Sequence, residues 1–186
     1  MLDQPARKAV FLDRDCTVIE DMEFSTDPAR IKALPGALEG LRRIQDAGYT
    51  LVIITNQSGV ARGFFTEAEL QTFHDALRAW LDDRGVRIAG IYYCPHYPEG
   101  KLPEYSFVCE CRKPAPGMIL RAAEELGLDL KRSWMVGDRD CDTAAGRKAG
   151  CRTILVETAA ELQPGNPKPD FRAKDLQAAA DVILGA

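Results

Sequence analysis

Two aspartates separated by one residue, Asp13 and Asp15, carry the clearest chemical signal in this sequence. They directly follow the apolar run 9–12, which predicts a buried strand that ends at the aspartates. Two carboxylates this close repel each other unless a cation, a shared proton or a nearby Lys or Arg neutralises them. A hard cation such as Mg²⁺ takes oxygen ligands and suits the pair. The plain alternative is a turn with both aspartates solvated, because aspartate is common in turns.

Further polar residues follow other apolar runs or precede predicted helices. They are Thr55, Asn56, Arg112, Lys113, Asp138, Arg139 and Asp142. Each has an ordinary explanation alone: a strand end, a surface lysine, or a helix N-cap at Asp142. In a parallel sheet, however, the carboxyl ends of the strands meet at one edge, where ligands bind. Such convergence indicates one site.

A second group of side chains has the spacing of a metal site. Cys94 and His96 are followed, after twelve residues, by Cys109 and Cys111. Three thiolates and one imidazole suit a closed tetrahedral Zn²⁺ site, and a closed site is structural. The zinc would replace hydrophobic packing in this loop and fix the two basic residues that follow it. Three unrelated buried cysteines beside a surface histidine are the alternative.

The elements that must position these residues alternate along the chain. Strands are predicted at 9–12, 49–54, 88–94, 134–136 and 153–156, and helices at 37–47, 67–81, 117–126, 143–149 and 175–184. Alternation predicts an α/β fold, a Rossmann-like doubly wound parallel sheet with helices on both faces. We expect a single domain over 1–186, with no separate cap domain, an inserted zinc loop at 94–111 and a proline-rich connection at 157–169.

Composition narrows the class of protein. The chain has 186 residues, of which 46% are hydrophobic and 28% charged, as in an ordinary globular protein. Its net charge of −4 disfavours a general nucleic-acid surface, which is normally basic. No apolar run has transmembrane length, and the N-terminus lacks the core of a secretory signal. We expect a cytoplasmic monomer with no nucleic-acid or membrane partner.

Three residues that carry chemistry elsewhere have no partner pattern here. His74 lies beside the apolar stripe of its predicted helix, which favours packing or a surface position over catalysis. Cys141 and Cys151 have no paired ligand spacing, and we interpret them as structural thiols.

Together, the motifs at the predicted sheet edge resemble those of the haloacid dehalogenase superfamily of phosphotransferases. They are Asp13-Arg14-Asp15-Cys16-Thr17, Thr55, Lys113 and Gly137-Asp138-Arg139-Asp140-Cys141-Asp142. The resemblance implies that Asp13 is the nucleophile that takes the phosphoryl group, and that Asp15 is the general acid and base. It also implies that Mg²⁺ is held by Asp13, the backbone carbonyl of Asp15, and Asp138. Thr55 and Lys113 would contact the phosphoryl oxygens, and Lys113 would also stabilise the Asp13 carboxylate.

One residue departs from the superfamily pattern. The residue after the second aspartate is usually glycine, and here it is Cys16. A Cβ makes the backbone torsions that glycine permits costly. Either the loop uses a conformation open to other residues or activity is compromised, and a thiol of low pKa would be open to oxidation. We expect catalysis to survive.

Within the superfamily, the chain resembles the D-glycero-D-manno-heptose 1,7-bisphosphate 7-phosphatases. The matching stretches are Phe11 to Asp15, Thr55 to Gly63, Tyr92 to His96, Cys109 to Pro114 and Pro116 to Met118. The resemblance implies a sugar-phosphate substrate on the route to lipopolysaccharide or other surface glycans. Substrate contacts would come from Asp21, Met22, Glu23, Phe24, Thr55, Asn56, Gln57, Ser58, Arg112, Lys113 and Arg139. Arginine suits the second phosphate because it binds phosphate in a bidentate fork.

Three alternatives stay open on the sequence. A histidinol-phosphate phosphatase would share the motifs and the zinc loop, although the stretch 58–63 fits the heptose group better. A polynucleotide 3′-phosphatase would need a basic track for its strand, which the acidic balance disfavours. A zinc-stapled binding protein that has lost catalysis through Cys16 is the non-enzyme alternative.

Overall fold

Strands and helices alternate in the computed structural model, which describes residues 7–157 and 168–185. The strands are β1 (Ala9–Leu12), β2 (Thr50–Asn56), β3 (Ile88–Cys94), β4 (Trp134–Gly137), β5 (Arg152–Val156) and β6 (Phe171–Ala173). The helices are α1 (Ala37–Asp46), α2 (Glu67–Asp82), α3 (Gly117–Leu126), α4 (Asp140–Ala149) and α5 (Leu176–Gly185). The strands form one parallel sheet in the order β3-β2-β1-β4-β5-β6.

The central strand is β1, and its position follows from its composition. All four of its residues are fully buried, as expected of an apolar run that is covered on both faces. It pairs with β2 on one side and with β4 on the other. The strand order reverses between β1 and β4, and this switch point is where open α/β sheets bind ligands. The residues just after Leu12 therefore enter the crevice.

Each face of the sheet has its own hydrophobic cluster, because successive side chains of a strand point to opposite faces. Val10 and Leu12 belong to the cluster that contains buried residues of α1, α2 and α5. Ala9 and Phe11 belong to the cluster formed with α3 and α4. The predicted doubly wound architecture is confirmed. Among the described residues, no helix combines the length and the apolarity needed to cross a bilayer.

Two predicted elements differ from the structure. Helix α4 begins at Asp140, three residues before the predicted start at Thr143, because the side chain of Asp142 accepts a hydrogen bond from the Arg139 backbone N–H and caps the first turn. Strand β6 was not predicted, since it has three residues, only one of them buried, and lies at the sheet edge. Most of the predicted connection at 157–169 lies outside the described residues.

The contact between α1 and α5 is close enough to require glycine at position 40. A Cβ built there would overlap the backbone carbonyl of Leu176. We expect Gly40→Ala to lower the free energy of unfolding by roughly 1–3 kcal/mol, although alanine favours a helix intrinsically. Urea denaturation measures it. Gly185→Ala in α5 is the matched control, since no described atom lies within 4 Å of its Cβ. Equal stability of the two variants would contradict the expected overlap.

Candidate active site

A cleft of about 490 Å³ opens above the carboxyl ends of β1 and β2, beside the start of α4. All eleven positions that the sequence analysis gave to substrate contacts line it, together with Asp13 and Asp15. The lining residues are Asp13, Arg14, Asp15, Asp21, Met22, Glu23, Phe24, Thr55, Asn56, Gln57, Ser58, Arg112, Lys113, Arg139, Cys141 and Asp142. Residues from opposite ends of the chain thus share one cavity.

Lys113 is a buried cation of this cleft. Its Nζ lies 2.6 Å from Asp13 Oδ1 and 2.6 Å from Asp142 Oδ1, and it donates to the Ile54 carbonyl at 2.8 Å. Burial alone would lower the pKa of Lys113, but the charges of Asp13 and then Asp142 outweigh it and raise the pKa. The Asn56 side chain holds the Lys113 backbone at both its N–H and its carbonyl. Asn56 therefore positions the lysine.

Three carboxylates crowd around this one lysine. Asp13, Asp138 and Asp142 are all buried, and their oxygens lie within 4.8 Å of one another. Burial, followed by the charges of its acidic neighbours, raises the pKa of Asp138 to about 7. Burial likewise raises the pKa of Asp142 to about 6, although Lys113 opposes the shift. The cluster holds more negative charge than Lys113 balances, so an oxygen-seeking divalent cation fits it.

Asp142 has a larger structural role than the N-cap that its sequence position suggested. One of its oxygens pairs with Lys113 at 2.6 Å, and the other accepts the Arg139 backbone N–H at 2.9 Å. Both oxygens are already engaged, so Asp13 and Asp138 are better placed to bind a cation, as the motif resemblance implies. The sequence analysis placed Asp142 at this edge but left it out of the site residues, because its contact with Lys113 is a tertiary one.

Asp15 faces a fork of donors. Arg14 Nε and Nη2 lie 3.2 and 3.0 Å from Asp15 Oδ1, and Nη2 lies 2.9 Å from Oδ2. Gln57 Nε2 donates to Asp15 Oδ2 at 3.1 Å and to Thr55 Oγ1 at 2.9 Å. Burial raises the pKa of Asp15 above its usual value against the opposing charge of Arg14. A carboxyl group that is fixed in place and protonates readily has the properties of a general acid.

His74 lies near the site although the sequence analysis did not assign it there, and the same holds for Arg14 and Cys141, which line the cleft. His74 lies in α2 and is buried, as packing requires, but its Nε2 lies 3.1 Å from Arg14 Nη1. The two residues are 60 positions apart, so periodicity within α2 gave no signal of the contact.

Cys16 adopts a backbone conformation that favours glycine. Its φ is 57°, in the left-handed region, where a Cβ costs roughly 1–2 kcal/mol. Burial and the neighbouring Asp138 raise the pKa of the thiol to about 11, so the thiol stays protonated at neutral pH. A protonated thiol is a poor nucleophile, and the structure therefore argues against ready oxidation at this position.

We expect Cys16→Gly to raise the free energy of unfolding by up to about 1 kcal/mol. Relief of the left-handed strain outweighs the extra freedom that glycine gives the unfolded chain. Thermal and urea denaturation measure the change, and Cys16→Ala is the matched control because it keeps the Cβ. A glycine variant no more stable than the alanine variant would show that position 16 carries no strain.

The predicted zinc ligands come together beside the cleft. The sulfur atoms of Cys94, Cys109 and Cys111 lie 3.1–3.5 Å apart, and His96 Nδ1 lies 3.3 Å from Cys111 Sγ. These cysteines are free rather than disulfide-bonded, and all four ligand atoms lie within 4.8 Å of one another. Three sulfurs and one imidazole nitrogen at this spacing fit a tetrahedral zinc ion.

The zinc loop is tied to the cleft through Arg112. Its Nη1 donates to the backbone carbonyl of His96 at 3.1 Å, and its guanidinium lies 5.0 Å from the centre of the Tyr97 ring. Both contacts belong to the loop, while Arg112 also lines the cleft. The cluster thus holds a cation at the wall of the cavity.

The outer rim of the cleft is formed by the segment before Ser25. Glu23 and Phe24 both have positive φ, at 48° and 61°, and the Phe24 ring lies 4.9 Å from the ring of Phe64. On the other side of the mouth, the Arg139 side chain is 63% exposed and its Nε lies 3.8 Å from Asp138 Oδ2. The mouth therefore pairs an aromatic wall with a cationic one.

Comparison with known proteins places this geometry in a family. The HAD-hydrolase-like family model matches residues 110–179. The D-glycero-β-D-manno-heptose-1,7-bisphosphate 7-phosphatase of Pasteurella multocida is 43% identical over 96% of this chain and 98% of its own length. The D-glycero-α-D-manno-heptose-1,7-bisphosphate 7-phosphatase of Photorhabdus laumondii is 42% identical over 81% of this chain and 83% of its own length.

A solved structure agrees with these relatives. The D,D-heptose 1,7-bisphosphate phosphatase of B. bronchiseptica, complexed with magnesium and phosphate, superposes with a TM-score of 0.80. It is 37% identical to this chain, and the match covers 96% of this chain and 98% of the other. Similarity in sequence and in structure thus extends over nearly the full length.

Proposed function

Because this chain belongs to the heptose-1,7-bisphosphate 7-phosphatases of the HAD-like hydrolases, we propose that it hydrolyses the 7-phosphate of D-glycero-D-manno-heptose 1,7-bisphosphate. The observation that carries the proposal is the placement of Asp13 at the end of the buried strand β1, with its carboxylate against the buried Lys113. A carboxylate in contact with a lysine, in a cleft lined with cations, is suited to attack phosphorus.

In the first step, a carboxylate oxygen of Asp13 forms a bond to phosphorus while the bond from phosphorus to the sugar oxygen breaks. Asp15 gives its proton to that leaving oxygen, which departs as an alcohol. In the second step, Asp15 takes a proton from water, the water oxygen bonds to phosphorus, and the bond to Asp13 breaks. Inorganic phosphate leaves and both aspartates return to their starting state. Thr55 and Lys113 bind the phosphoryl oxygens throughout.

A magnesium ion fits the excess negative charge of the acidic cluster. Asp13, Asp138 and the backbone carbonyl of Asp15 would hold it. When bound, the ion offsets the charge on the phosphoryl group as it is transferred. Lys113 keeps the Asp13 carboxylate fixed and is itself held by Asp142.

The rest of the substrate occupies the mouth of the cleft. We assign Arg112, Lys113 and Arg139 to the second phosphate or the sugar ring, since guanidinium groups bind phosphate in a fork. The remaining contacts to the sugar and its phosphates come from the rim and from the end of β2. They are Asp21, Met22, Glu23, Phe24, Thr55, Asn56, Gln57 and Ser58, all lining the cavity.

A structural zinc ion completes the proposed cofactors, held by Cys94, His96, Cys109 and Cys111. Its part is to order the loop that carries Arg112 and leads to Lys113. We also propose that the chain forms one domain over 1–186 and acts as a cytoplasmic monomer, with no nucleic-acid or membrane partner.

The deciding measurement is phosphate release by the purified protein with Mg²⁺. The substrates are both anomers of the heptose 1,7-bisphosphate, histidinol phosphate and a 3′-phosphorylated oligonucleotide. We expect turnover of the heptose bisphosphates, with one anomer preferred. Preference for histidinol phosphate would keep the mechanism and overturn the substrate. No turnover of any of them would favour the binding-protein alternative.

A further inference from the structure

His74 makes a hydrogen bond that fixes its own protonation state. Its Nε2 lies 3.1 Å from Arg14 Nη1, and both groups are buried. Arginine only donates hydrogen bonds, so Nε2 must be the acceptor and the ring proton must be on Nδ1. Burial and the adjacent charge of Arg14 lower the pKa of His74 to about 3, which keeps the ring neutral. Among the described residues, Nδ1 has no hydrogen-bond partner.

Arg14 is held on three sides. Its Nε and Nη2 form the fork onto the Asp15 carboxylate, and its Nη1 meets His74. Its guanidinium carbon lies 4.9 Å from the centre of the Phe73 ring. Helix α2 therefore supplies two of the three contacts that fix the plane of the guanidinium, and only 3% of the Arg14 side chain is exposed.

We propose that His74 is a positioning residue for the reaction. By accepting a hydrogen bond from Arg14, it fixes the fork that orients the Asp15 carboxyl group towards the leaving oxygen. The inference rests on the proposed phosphatase function, in which Asp15 protonates the leaving group. Helix α2 contributes no side chain to the lining of the cleft. Through Arg14, it would nevertheless affect the step in which Asp15 protonates the leaving oxygen.

Packing alone accounts poorly for a histidine at this position. A buried N–H without a partner, as at Nδ1, costs roughly 1–3 kcal/mol. The neighbouring buried positions of α2 are filled by Leu70, Phe73 and Leu77, which carry no such cost. What the histidine adds is a hydrogen-bond acceptor for Arg14. An acceptor next to arginine must be uncharged, and the charge of a second arginine, Arg78, also lowers the pKa of His74.

The surroundings of Asp15 show which contact His74 controls. The charged groups that act on Asp15 are Arg14 and Asp13, and the Gln57 amide donates to it. Gln57 is itself fixed by Thr55, and Asp13 is fixed by Lys113. Arg14 is the remaining contact, and His74 is its only side-chain hydrogen-bond partner in the described structure besides Asp15.

A matched pair of variants distinguishes the effect of the hydrogen-bond acceptor from the effect of side-chain packing. His74→Gln keeps an acceptor at about the reach of Nε2, while His74→Met has a similar length and no strong acceptor. Each is assayed on two substrates with Mg²⁺. The heptose bisphosphate has an alkoxide leaving group that needs a proton, and p-nitrophenyl phosphate has a stable phenolate leaving group that needs none.

For His74→Met, we expect kcat/KM on the heptose bisphosphate to fall by about 10-fold, part of the 10²–10⁴-fold that a positioned general acid contributes. This ratio reports the first step and not the later hydrolysis, in which Asp15 acts as the base for both substrates. The value of kcat/KM on p-nitrophenyl phosphate should change by less than about 3-fold, since its first step takes no proton from Asp15. Substrate binding should be unchanged, because His74 does not line the cleft. His74→Gln should restore most of the loss.

Leu81→Ala is the control for a weakened helix, because Leu81 is buried in α2 and has no hydrogen bond to Arg14. This variant should lower the melting temperature, and any change in activity should be the same for the two substrates. The inference is overturned if His74→Met lowers kcat/KM equally for both substrates, if it lowers kcat/KM for neither, or if the glutamine variant is no more active than the methionine variant. Absence of wild-type turnover would instead overturn the proposed function, and this inference with it.

Two-bond ¹H–¹⁵N NMR of the wild-type protein reports the tautomer of the His74 ring and does not depend on turnover. We expect the neutral tautomer with the proton on Nδ1 from neutral pH down to about pH 5, as the strong burial requires. A protonated ring, or a proton on Nε2, would overturn the hydrogen bond on which the inference depends.

Discussion

Asp13→Asn is expected to abolish turnover, lowering kcat by about 10⁴-fold or more, as loss of a catalytic nucleophile does in other enzymes. The asparagine keeps the shape of the side chain but gives a neutral amide in place of the nucleophilic carboxylate. Lys113 would still be held by Asp142 at 2.6 Å, so the site should stay assembled. Phosphate release measures the loss, and Asp46→Asn, at an exposed position of α1, is the control.

The same substitution should leave the fold as stable as before, or more stable. Asp13 raises the pKa of both Asp138 and Asp142 through like-charge repulsion, and removing its charge relieves both. Thermal denaturation in the presence of a chelator therefore separates the catalytic effect from unfolding. Residual activity near that of the control would exclude Asp13 as the nucleophile. Lost activity together with a lower melting temperature would point to a structural role.

Removing one zinc ligand should have the largest effect on stability. We expect Cys109→Ser to lose the metal and to lower the free energy of unfolding by several kcal/mol, because binding at structural zinc sites is largely folding free energy. Of the four ligands, only Cys94 is buried, and the loop also exposes Phe107 and Val108. With so little apolar surface buried, we expect the loop to depend on the metal for most of its order.

Elemental analysis of protein purified without chelator, together with thermal denaturation, measures this effect. Cys151→Ala is the control, since Cys151 is buried against α3 and α4 and does not belong to the cluster. It should keep one zinc per chain. Wild-type protein without zinc, or a Cys109→Ser variant as stable as the wild type, would contradict the structural role.

The sequence predicted the fold best where a local pattern and tertiary burial agree. Strand β1 is apolar at every position and is buried at every position, and β3 has the predicted bounds. The Thr66–Glu69 capping box marks the start of α2 because both of its hydrogen bonds are local. Strand β6 lacks such a signal: its position depends on Asp170, which accepts hydrogen bonds from the Thr153 backbone N–H and hydroxyl.

The residues of the site also differ in how far the sequence predicts them. Asp13, Asp15, Thr55 and Asn56 were predictable because they follow strand ends, and the topology of a parallel sheet brings strand ends together. Asp21 to Phe24, which lie further along the chain, were implied only by the family resemblance.

Contacts between distant residues had no signal in the local pattern. The contact of Lys113 with Asp13, across 100 positions, was implied only by the family resemblance, and that of His74 with Arg14, across 60, was not predicted. A single sequence gives the types of these residues but not their pairing.

The full burial of β1 has a consequence for how the molecule opens. Backbone amides exchange with solvent through local openings at exposed segments but only through global unfolding in the core strands. The Asp13 backbone N–H is bonded to Val136 at 3.0 Å, within the central pair of strands, whereas Glu20, Asp21, Glu23 and Phe24 are exposed. Fluctuations that let a sugar phosphate in or out can therefore loosen the rim while Asp13, the proposed nucleophile, stays on the part of the protein that we expect to exchange most slowly.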